Sequence, residues 1–230
     1  MSSRPGSTHA VHNGGDGVTR VIATTMFCLM AFLALGVALV SARYLLPGTP
    51  FPAPPMLGQI ADWPMAVLAH VGGGVTALAL GSFQLVTRRG PRRIWHRWAG
   101  RTYVLACLVS AVAGFWLALH ASAGPVATAG FGGLAVAWFG TTVMGWRKAV
   151  TGEFAQHRRW MIRSLSLTFA AVTLRILIPL SPLTGLEFDV AYRAISFLCW
   201  VPNLLLIEAW LRIFGWDAGP QPSPYSTKRT

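Results

Sequence analysis

The stretch PMAVLAHVGGGVTALALGSFQLVTRRGPRRIWHR, residues 64–97, decides the fold of this chain. Its first two thirds are apolar over the length of a bilayer-spanning helix, which needs about 20 residues. Its last third holds five arginines, and loops rich in arginine and lysine stay on the cytoplasmic side of a membrane. The stretch therefore predicts a helix that crosses the bilayer inward and ends in a cytoplasmic loop.

Five more apolar runs flank this one. The six runs cover residues 21–44, 64–87, 98–120, 128–146, 160–180 and 190–214. Basic residues follow the second and fourth runs, namely Arg88, Arg89, Arg92, Arg93, Arg97, Arg147, Lys148, Arg158 and Arg159. The connections after the first, third and fifth runs hold no lysine or arginine and contain Asp62, Glu187 and Asp189. This alternation predicts an all-α bundle of six transmembrane helices with both termini in the cytoplasm.

The composition agrees with a membrane domain. Of 230 residues, 53% are hydrophobic and 11% are charged, which is too apolar for a soluble domain. The net charge of +12 comes from short loops beside the spans, so we interpret it as contact with anionic lipid headgroups and not as nucleic-acid binding. Cys28, Cys107 and Cys199 lie in three different runs, a spacing that supports neither a disulfide framework nor a metal-ion site.

The chain divides into three parts. We predict a disordered cytoplasmic N-tail over residues 1–19, a six-span domain over 20–214 and a cytoplasmic C-tail over 215–230. The proline-rich connection 47–63 predicts an extended segment. Residues 40–42, Val-Ser-Ala, resemble a signal cleavage site, but the first run is longer than a signal peptide core, so we expect a retained span.

Polar and small residues recur on one face of three spans. The three stripes are His70, Gly74, Ala77, Gly81, Gln84; His96, Gly100, Tyr103, Cys107, Ser110, Gly114; and His157, Met161, Ser164, Thr168, Ala171, Arg175. Polar stripes in lipid face the interior of a bundle. We therefore predict that the second, third and fifth spans form the functional core and that the first, fourth and sixth flank it.

The histidines sort into two pairs by predicted depth. His70 and His120 fall in the outer half, and His96 and His157 at the inner end. Two histidines on different helices at one depth suit a b-type haem, and two haems would give a transmembrane electron-transfer path. Candidate partners for the haem propionates are Arg175 and Arg193 outside, and Arg101 and Arg163 inside. Interfacial histidines that contact lipid phosphate or water fit the same pattern, so both interpretations stay open.

Arg175 is an arginine inside a span, which costs about 3 kcal/mol unless it is paired or hydrated. Asp62, Glu187 and Asp189 lie near enough in depth to neutralise it. The alternative is an anion or cofactor pocket that opens outward. On the inner side, Glu208 is expected to pair with Arg101 or Arg163, and Pro202-Asn203 is expected to kink the sixth span.

Two segments echo each other. His96-Arg97-Trp98 followed by Arg101 is similar to His157-Arg158-Arg159-Trp160 followed by Arg163. Both segments enter a span from the cytoplasmic side. The echo is either the trace of an internal repeat or two interfacial belts of histidine, arginine and tryptophan.

Three segments carry a resemblance: HVGGGVTALALGSFQ from His70, HRWAGRTY from His96 and HRRWMIRSLSLTFAAVTLR from His157. They resemble a bacterial family of integral membrane proteins, the domain of unknown function 2306. The resemblance implies a multi-span protein of a bacterial plasma membrane and supplies no established activity. The chain is more loosely similar to the two-haem cytochrome b561 group, but it differs because two histidines share the third span and the fourth span has none.

Two functions remain open after these observations. The first is a membrane electron carrier with b-type haem. The second is a non-redox membrane protein, either a small-solute transporter or an assembly scaffold, with a polar outer cavity around His70, Gln84, Tyr103 and Arg175. No nucleophile motif, phosphate loop or dinucleotide fingerprint points to an enzymatic reaction.

Overall fold

The computed structural model of the chain describes residues 13–46, 54–87 and 93–213. Those residues form α-helices and short 3-10 turns, and no strand occurs among them. The helices are α1 (Asn13–Ala42), α2 (Pro54–Asp62), α3 (Pro64–Thr87), α4 (Arg93–Leu119), α5 (Pro125–Val150), α6 (Phe154–Thr168), α7 (Ala170–Leu180), α8 (Phe188–Leu198) and α9 (Val201–Ile213).

Within this described part, six segments are long and apolar enough to cross a membrane, which confirms the predicted six-span, all-α architecture. They are Thr24–Leu45, Pro64–Gln84, Ile94–Leu119, Pro125–Val150, Phe154–Thr184 and Phe188–Ile213. The fifth span joins α6 and α7 through Phe169, and the sixth joins α8 and α9. The helical hydrogen bonds continue across Phe169, because its N–H donates to Leu165 and its carbonyl accepts from Thr173.

The sixth span breaks where its proline predicts. Cys199 and Trp200 separate α8 from α9, and Pro202 follows in the first turn of α9, where a missing N–H is tolerated. The side-chain amide of Asn203 donates to the carbonyl of Cys199 at 3.1 Å and to Thr173 Oγ1 at 3.0 Å. The amide therefore satisfies a carbonyl that the break leaves without its usual helical donor.

Two predictions about the connecting segments differ from the structure. Helix α1 begins at Asn13, inside the predicted N-tail, whose residues 1–12 lie outside the described part, as does the predicted C-tail 215–230. The extended conformation expected for 47–63 is wrong for Pro54–Asp62, which form α2 with two prolines in its first turn. The amide of Gln59 donates to the carbonyl of Leu117 at 2.9 Å and so docks α2 on α4.

The central packing involves α5 as well as the three predicted core spans. A buried cluster joins α3, α4, α5 and α6 through Ala77, Tyr103, Cys107, Trp138 and Leu167. Spans with histidine stripes were expected to form the core alone, so the prediction that the fourth span only flanks it is wrong. Trp138 and Thr142 place the polar groups of α5 in the centre of the bundle.

The two ends of the bundle differ in charge. We call the end with the α3–α4 and α5–α6 connections the basic end, and the end with Asp62, Glu187 and Asp189 the acidic end. The α5–α6 connection turns at Gly152, which has a φ of 77°. Lys148 donates to Glu153 at 2.7 Å and, with Thr151, holds the pKa of that carboxyl below its usual value.

Helices α3 and α4 approach so closely that one glycine is required between them. A Cβ at Gly73 would lie 2.6 Å from the carbonyl oxygen of Ala106 and 2.7 Å from Ser110 Cβ. We expect Gly73→Ala to lower the stability of the purified protein by ~1–3 kcal/mol, because the backbone of α4 must shift. Thermal unfolding in detergent measures this change.

The matched control for this substitution is Gly140→Ala on α5. A Cβ at Gly140 meets no atom within 4 Å, so alanine there is expected to leave the melting temperature unchanged or slightly higher. Equal melting temperatures for the Gly73 variant and the wild type would contradict the close approach of α3 and α4.

Candidate functional site

A network of hydroxyl groups lies at the middle of the bundle. The hydroxyl of Tyr103, on α4, lies 3.1 Å from Ser164 Oγ and 2.9 Å from Thr168 Oγ1, both on α6. From α5, Trp138 Nε1 donates to Thr168 Oγ1 at 3.0 Å, and Thr142 Oγ1 lies 2.7 Å from Ser164 Oγ. All five side chains are buried, so the network joins three helices away from lipid and water.

This network has fewer donor protons than hydrogen-bond contacts. Thr142 and Thr168 also donate to carbonyls one turn earlier, those of Trp138 and Ser164. Four hydroxyls and one indole N–H supply one proton each, and they serve six contacts in total. If the threonines donate to the backbone and Ser164 donates to Thr142, the proton of Tyr103 is shared between its two hydroxyl neighbours. The network can therefore exist in more than one hydrogen-bond arrangement.

Tyr103 was predicted to line an outer polar cavity. Its side chain is 1% exposed, and its hydroxyl is used in the network. Gln84, the other predicted cavity residue, is at the basic end, where its amide donates to the carbonyl of His96 at 3.1 Å. It follows His70 by 14 residues on α3, a distance of roughly 21 Å along the helix. The structure does not bring these two residues together with His70 and Arg175.

His70 packs against α4 in the acidic half of the bundle. Its Nδ1 lies 2.9 Å from the carbonyl oxygen of Ser110, whose hydroxyl donates to the carbonyl of His70 at 2.7 Å. Because a carbonyl oxygen only accepts hydrogen bonds, Nδ1 of His70 is the donor to the Ser110 carbonyl. The imidazole also covers Gly114, where a Cβ would lie 2.7 Å from Nδ1. In the neutral tautomer, Nε2 is left as a hydrogen-bond acceptor.

Arg175 is an electrostatic neighbour of His70 and has no acidic partner within the described part of the chain. Its Nη1 donates to the carbonyl of Ala171, one turn earlier on its own helix, at 3.3 Å. Its electrostatic neighbours are His70, Tyr44 and Arg43, and the last of these is another cation. Among the described residues, no carboxylate forms an ion pair with this guanidinium.

The three acids that were expected to neutralise Arg175 are exposed at the acidic end. Described ion pairs join Lys148 to Glu153 and Arg163 to Glu208, and none of the three acids takes part in them. Arg193, the other predicted outer cation, donates to the carbonyl of Ala123 at 2.8 Å and so fixes the α4–α5 connection. The described structure therefore shows no ion pair between Arg175 and these acids.

The predicted outer histidine pair does not form. His120 lies between Trp63 and Trp116, with ring centroids 4.6 and 4.9 Å from its own, and its Nδ1 contacts the carbonyl of Trp116 at 2.8 Å. His70 contacts Ser110, which precedes His120 by ten residues on α4, or roughly 15 Å. The two imidazoles therefore lie at different depths.

The inner histidines lie at one depth. Tyr103 contacts Ser164, and each follows its histidine, His96 or His157, by seven residues on a helix that runs in the same direction. Seven residues are two helical turns, so both histidines lie below this contact and on the corresponding faces. The Nδ1 of His157 lies 2.8 Å from the carbonyl oxygen of Gly145. This contact holds the ring against α5.

Of the two arginines predicted to contact a haem propionate at the basic end, one already has an ion-pair partner. Arg163 donates through Nε and Nη2 to the carboxylate of Glu208, with the Nη2 contact at 2.9 Å, and its guanidinium covers the ring of Trp160. Of the two predicted partners of Glu208, Arg163 is therefore the one the structure shows. Arg101 stacks 5.1 Å above the ring of Trp98 and is exposed.

Sequence reasoning missed two members of the central network, Trp138 and Thr142. Each stripe that predicted a core span begins with a histidine, and α5 has no histidine. The available signal was the spacing of Ala135, Trp138, Thr142 and Gly145, which share one helical face and are all buried.

One protein family, described as "Predicted membrane protein (DUF2306)", matches residues 67–211, which is more than half of the chain. No curated protein and no solved structure matches.

Removal of the Tyr103 hydroxyl tests the central network. We expect Tyr103→Phe to destabilise the protein by ~1–3 kcal/mol, because buried hydroxyls of Ser164 and Thr168 lose a partner. The control is Thr141→Val, since the Thr141 hydroxyl contacts only carbonyls of its own helix in the described structure. Thermal unfolding in detergent measures both, and a control that is as unstable as Tyr103→Phe would argue against the network.

Proposed function

The chain belongs to this family of predicted membrane proteins, and we propose that it binds a small oxyanion between His70 and Arg175 as a solute-handling membrane protein. The observation that carries the proposal is the cationic side chain of Arg175 inside a span, where no carboxylate of the described residues forms an ion pair with it. A guanidinium in lipid is costly unless an anion, water or backbone groups compensate it. Its planar donors match the oxygens of a carboxylate or a phosphate.

His70 narrows the class of anion. Its Nδ1 donates to the carbonyl of Ser110. In the neutral imidazole, Nε2 therefore accepts a hydrogen bond and does not donate one. A bound anion would therefore present a hydroxyl proton to His70 and its charged oxygens to Arg175. Hydrogen phosphate and hydroxy acids such as lactate have both groups, whereas sulfate and acetate lack the hydroxyl at neutral pH. A site that pairs with a hydroxyl discriminates strongly against ligands that lack it.

The first experiment measures thermal unfolding of the detergent-purified protein with phosphate, lactate, sulfate or acetate at matched ionic strength. We expect phosphate or lactate to raise the melting temperature more than sulfate and acetate do. A ligand at about 100 times its Kd adds roughly 2.7 kcal/mol of stability. Arg175→Gln should abolish this rise, because it removes the cation and keeps a polar side chain of similar shape.

The matched control is Arg193→Gln, at the same end of the bundle, which should keep the rise because Arg193 contacts the α4–α5 connection. The absence of any rise in the wild type, or an equal rise in Arg175→Gln, would contradict the proposal. A parallel series with phosphatidylglycerol tests a lipid headgroup as the source of the oxyanion. A rise with this lipid alone would assign Arg175 to lipid and also overturn the proposal.

A b-type haem electron carrier is the second candidate, in a form with one haem at the basic end. The observation in its favour is the equal depth of His96 and His157. The contact of His157 Nδ1 with the Gly145 carbonyl resembles the contacts that orient ligating imidazoles and leaves Nε2 for iron. Of the two inner arginines predicted to contact a propionate, Arg101 could do so, because Arg163 is paired with Glu208.

An absorbance spectrum of protein purified from haem-replete cells tests this second candidate. If haem is bound, we expect a Soret band that shifts on reduction. His157→Ala should remove the band, and His70→Ala should keep it, because His70 lies in the other half of the bundle. A colourless wild-type preparation would eliminate the haem candidate and leave the oxyanion proposal unaffected.

The cellular setting is part of the proposal. The arginines in and beside the α3–α4 and α5–α6 connections support a cytoplasmic basic end, with contacts to anionic headgroups of a bacterial plasma membrane. The site of His70 and Arg175 would then lie in the outer half of the bilayer. A solute from outside the cell would reach it from the acidic end.

A further inference from the structure

Helices α3–α4 and α5–α6 repeat one set of contacts. Gln84 lies beside His96 and Gly100, and Gly145 lies beside His157 and Met161. Gly81 lies beside Tyr103, and Thr142 contacts Ser164. Each of these residues of the first hairpin corresponds to the residue 61 positions later in the second. The histidines of the two similar segments are therefore equivalent positions in a structural repeat of two hairpins in the same orientation, whereas the tryptophan and the last arginine of the echo are offset by one residue.

The two hairpins meet at equivalent residues. Tyr103 and Ser164 correspond to each other under the 61-residue shift, and their hydroxyls lie 3.1 Å apart. Equivalent groups can meet only near the axis that relates the two copies. That axis therefore runs along the bundle, through the central network. In many transporters, the solute path lies at the interface between internal repeats.

The two seams between the hairpins are not alike. Helices α4 and α5 pack closely along their length, whereas the equivalent seam between α3 and α6 has few contacts. At its middle, Leu165 covers Gly81: a Cβ on this glycine would lie 2.6 Å from Leu165 Cδ1 and 3.4 Å from Tyr103 Cε2. Leu165 is therefore one of the side chains that close the seam, and it lies at the middle against a residue that has no side chain. Farther along, helix α1 covers the seam between α3 and α7, where Ala34 and Ala38 pack with Leu78 and Val172.

Polar groups of both halves lie on α3, beside this seam. His70 packs against α4 toward the acidic end and has Arg175 of α7 as an electrostatic neighbour. Gln84 lies toward the basic end, beside the start of α4. The repeats differ toward the acidic end. Under the 61-residue shift, His70 corresponds to Phe131, and Arg175 corresponds to Gly114. Only one of the two seams therefore carries the cation and the imidazole.

We propose that the seam between α3 and α6–α7 is a translocation path for the oxyanion and that Leu165 on Gly81 is its constriction. This inference rests on the proposed function, since it takes its solute from the site of His70 and Arg175. An anion that leaves this site toward the basic end must pass the Gly81–Leu165 contact. Movement of the two hairpins, or rotation of the leucine, would open the seam.

The test combines binding with flux. Wild type, Gly81→Val, Leu165→Ala and the lipid-side control Gly140→Val are reconstituted into liposomes, and uptake of radiolabelled phosphate and lactate is measured. We expect Gly81→Val to reduce uptake by about tenfold, which equals ~1.4 kcal/mol of added barrier, while phosphate or lactate still raises its melting temperature. Leu165→Ala should increase uptake, and Gly140→Val should match the wild type.

The outcomes separate the two proposals. A wild type that binds the anion but shows no uptake, or a Gly81→Val variant that binds and transports at the wild-type rate, would overturn the path alone. A wild type that neither binds nor transports phosphate or lactate would overturn the oxyanion site and the path together. Because Leu165→Ala removes atoms and adds none, its uptake tests the constriction even if Gly81→Val fails to fold.

Discussion

Every polar group inside a bilayer must find its partner within the protein, and this constraint governs the interior of the bundle. Hydrogen bonds between buried polar groups therefore fix one arrangement of the helices, which apolar contacts alone would not select. The central network holds α4, α5 and α6 in one axial register through the side chains of Tyr103, Ser164, Thr168, Trp138 and Thr142. That register places the two inner histidines at equal depth and the two hairpins on a common axis.

Arg175 is an exception to this constraint, and the exception suggests a function. The cation Arg163 at the basic end has the carboxylate of Glu208, and Arg193 has a carbonyl in a connection. The guanidinium of Arg175 has one carbonyl of its own helix and a second cation nearby. A protein that only needed stability would gain from an apolar residue here, so a ligand with negative charge is the simplest reason for an arginine.

The sequence predicted the six helices and the interior faces of three of them, because bilayer length, loop charge and helical periodicity are local properties. It could not predict which polar residues meet, since that depends on the axial register between helices. His70 and His120 were paired by depth counted from span ends, yet packing on Gly114 places His70 well below His120. Gln84 was assigned to an outer cavity by its helical face alone, which carries no information about depth.

The most direct test of the account is an experimental map of the protein in lipid nanodiscs with phosphate or lactate present. The account predicts density for a non-protein group between the guanidinium of Arg175 and Nε2 of His70. A map in which that guanidinium is paired with Asp62, Glu187 or Asp189, or turned toward the lipid, would contradict it.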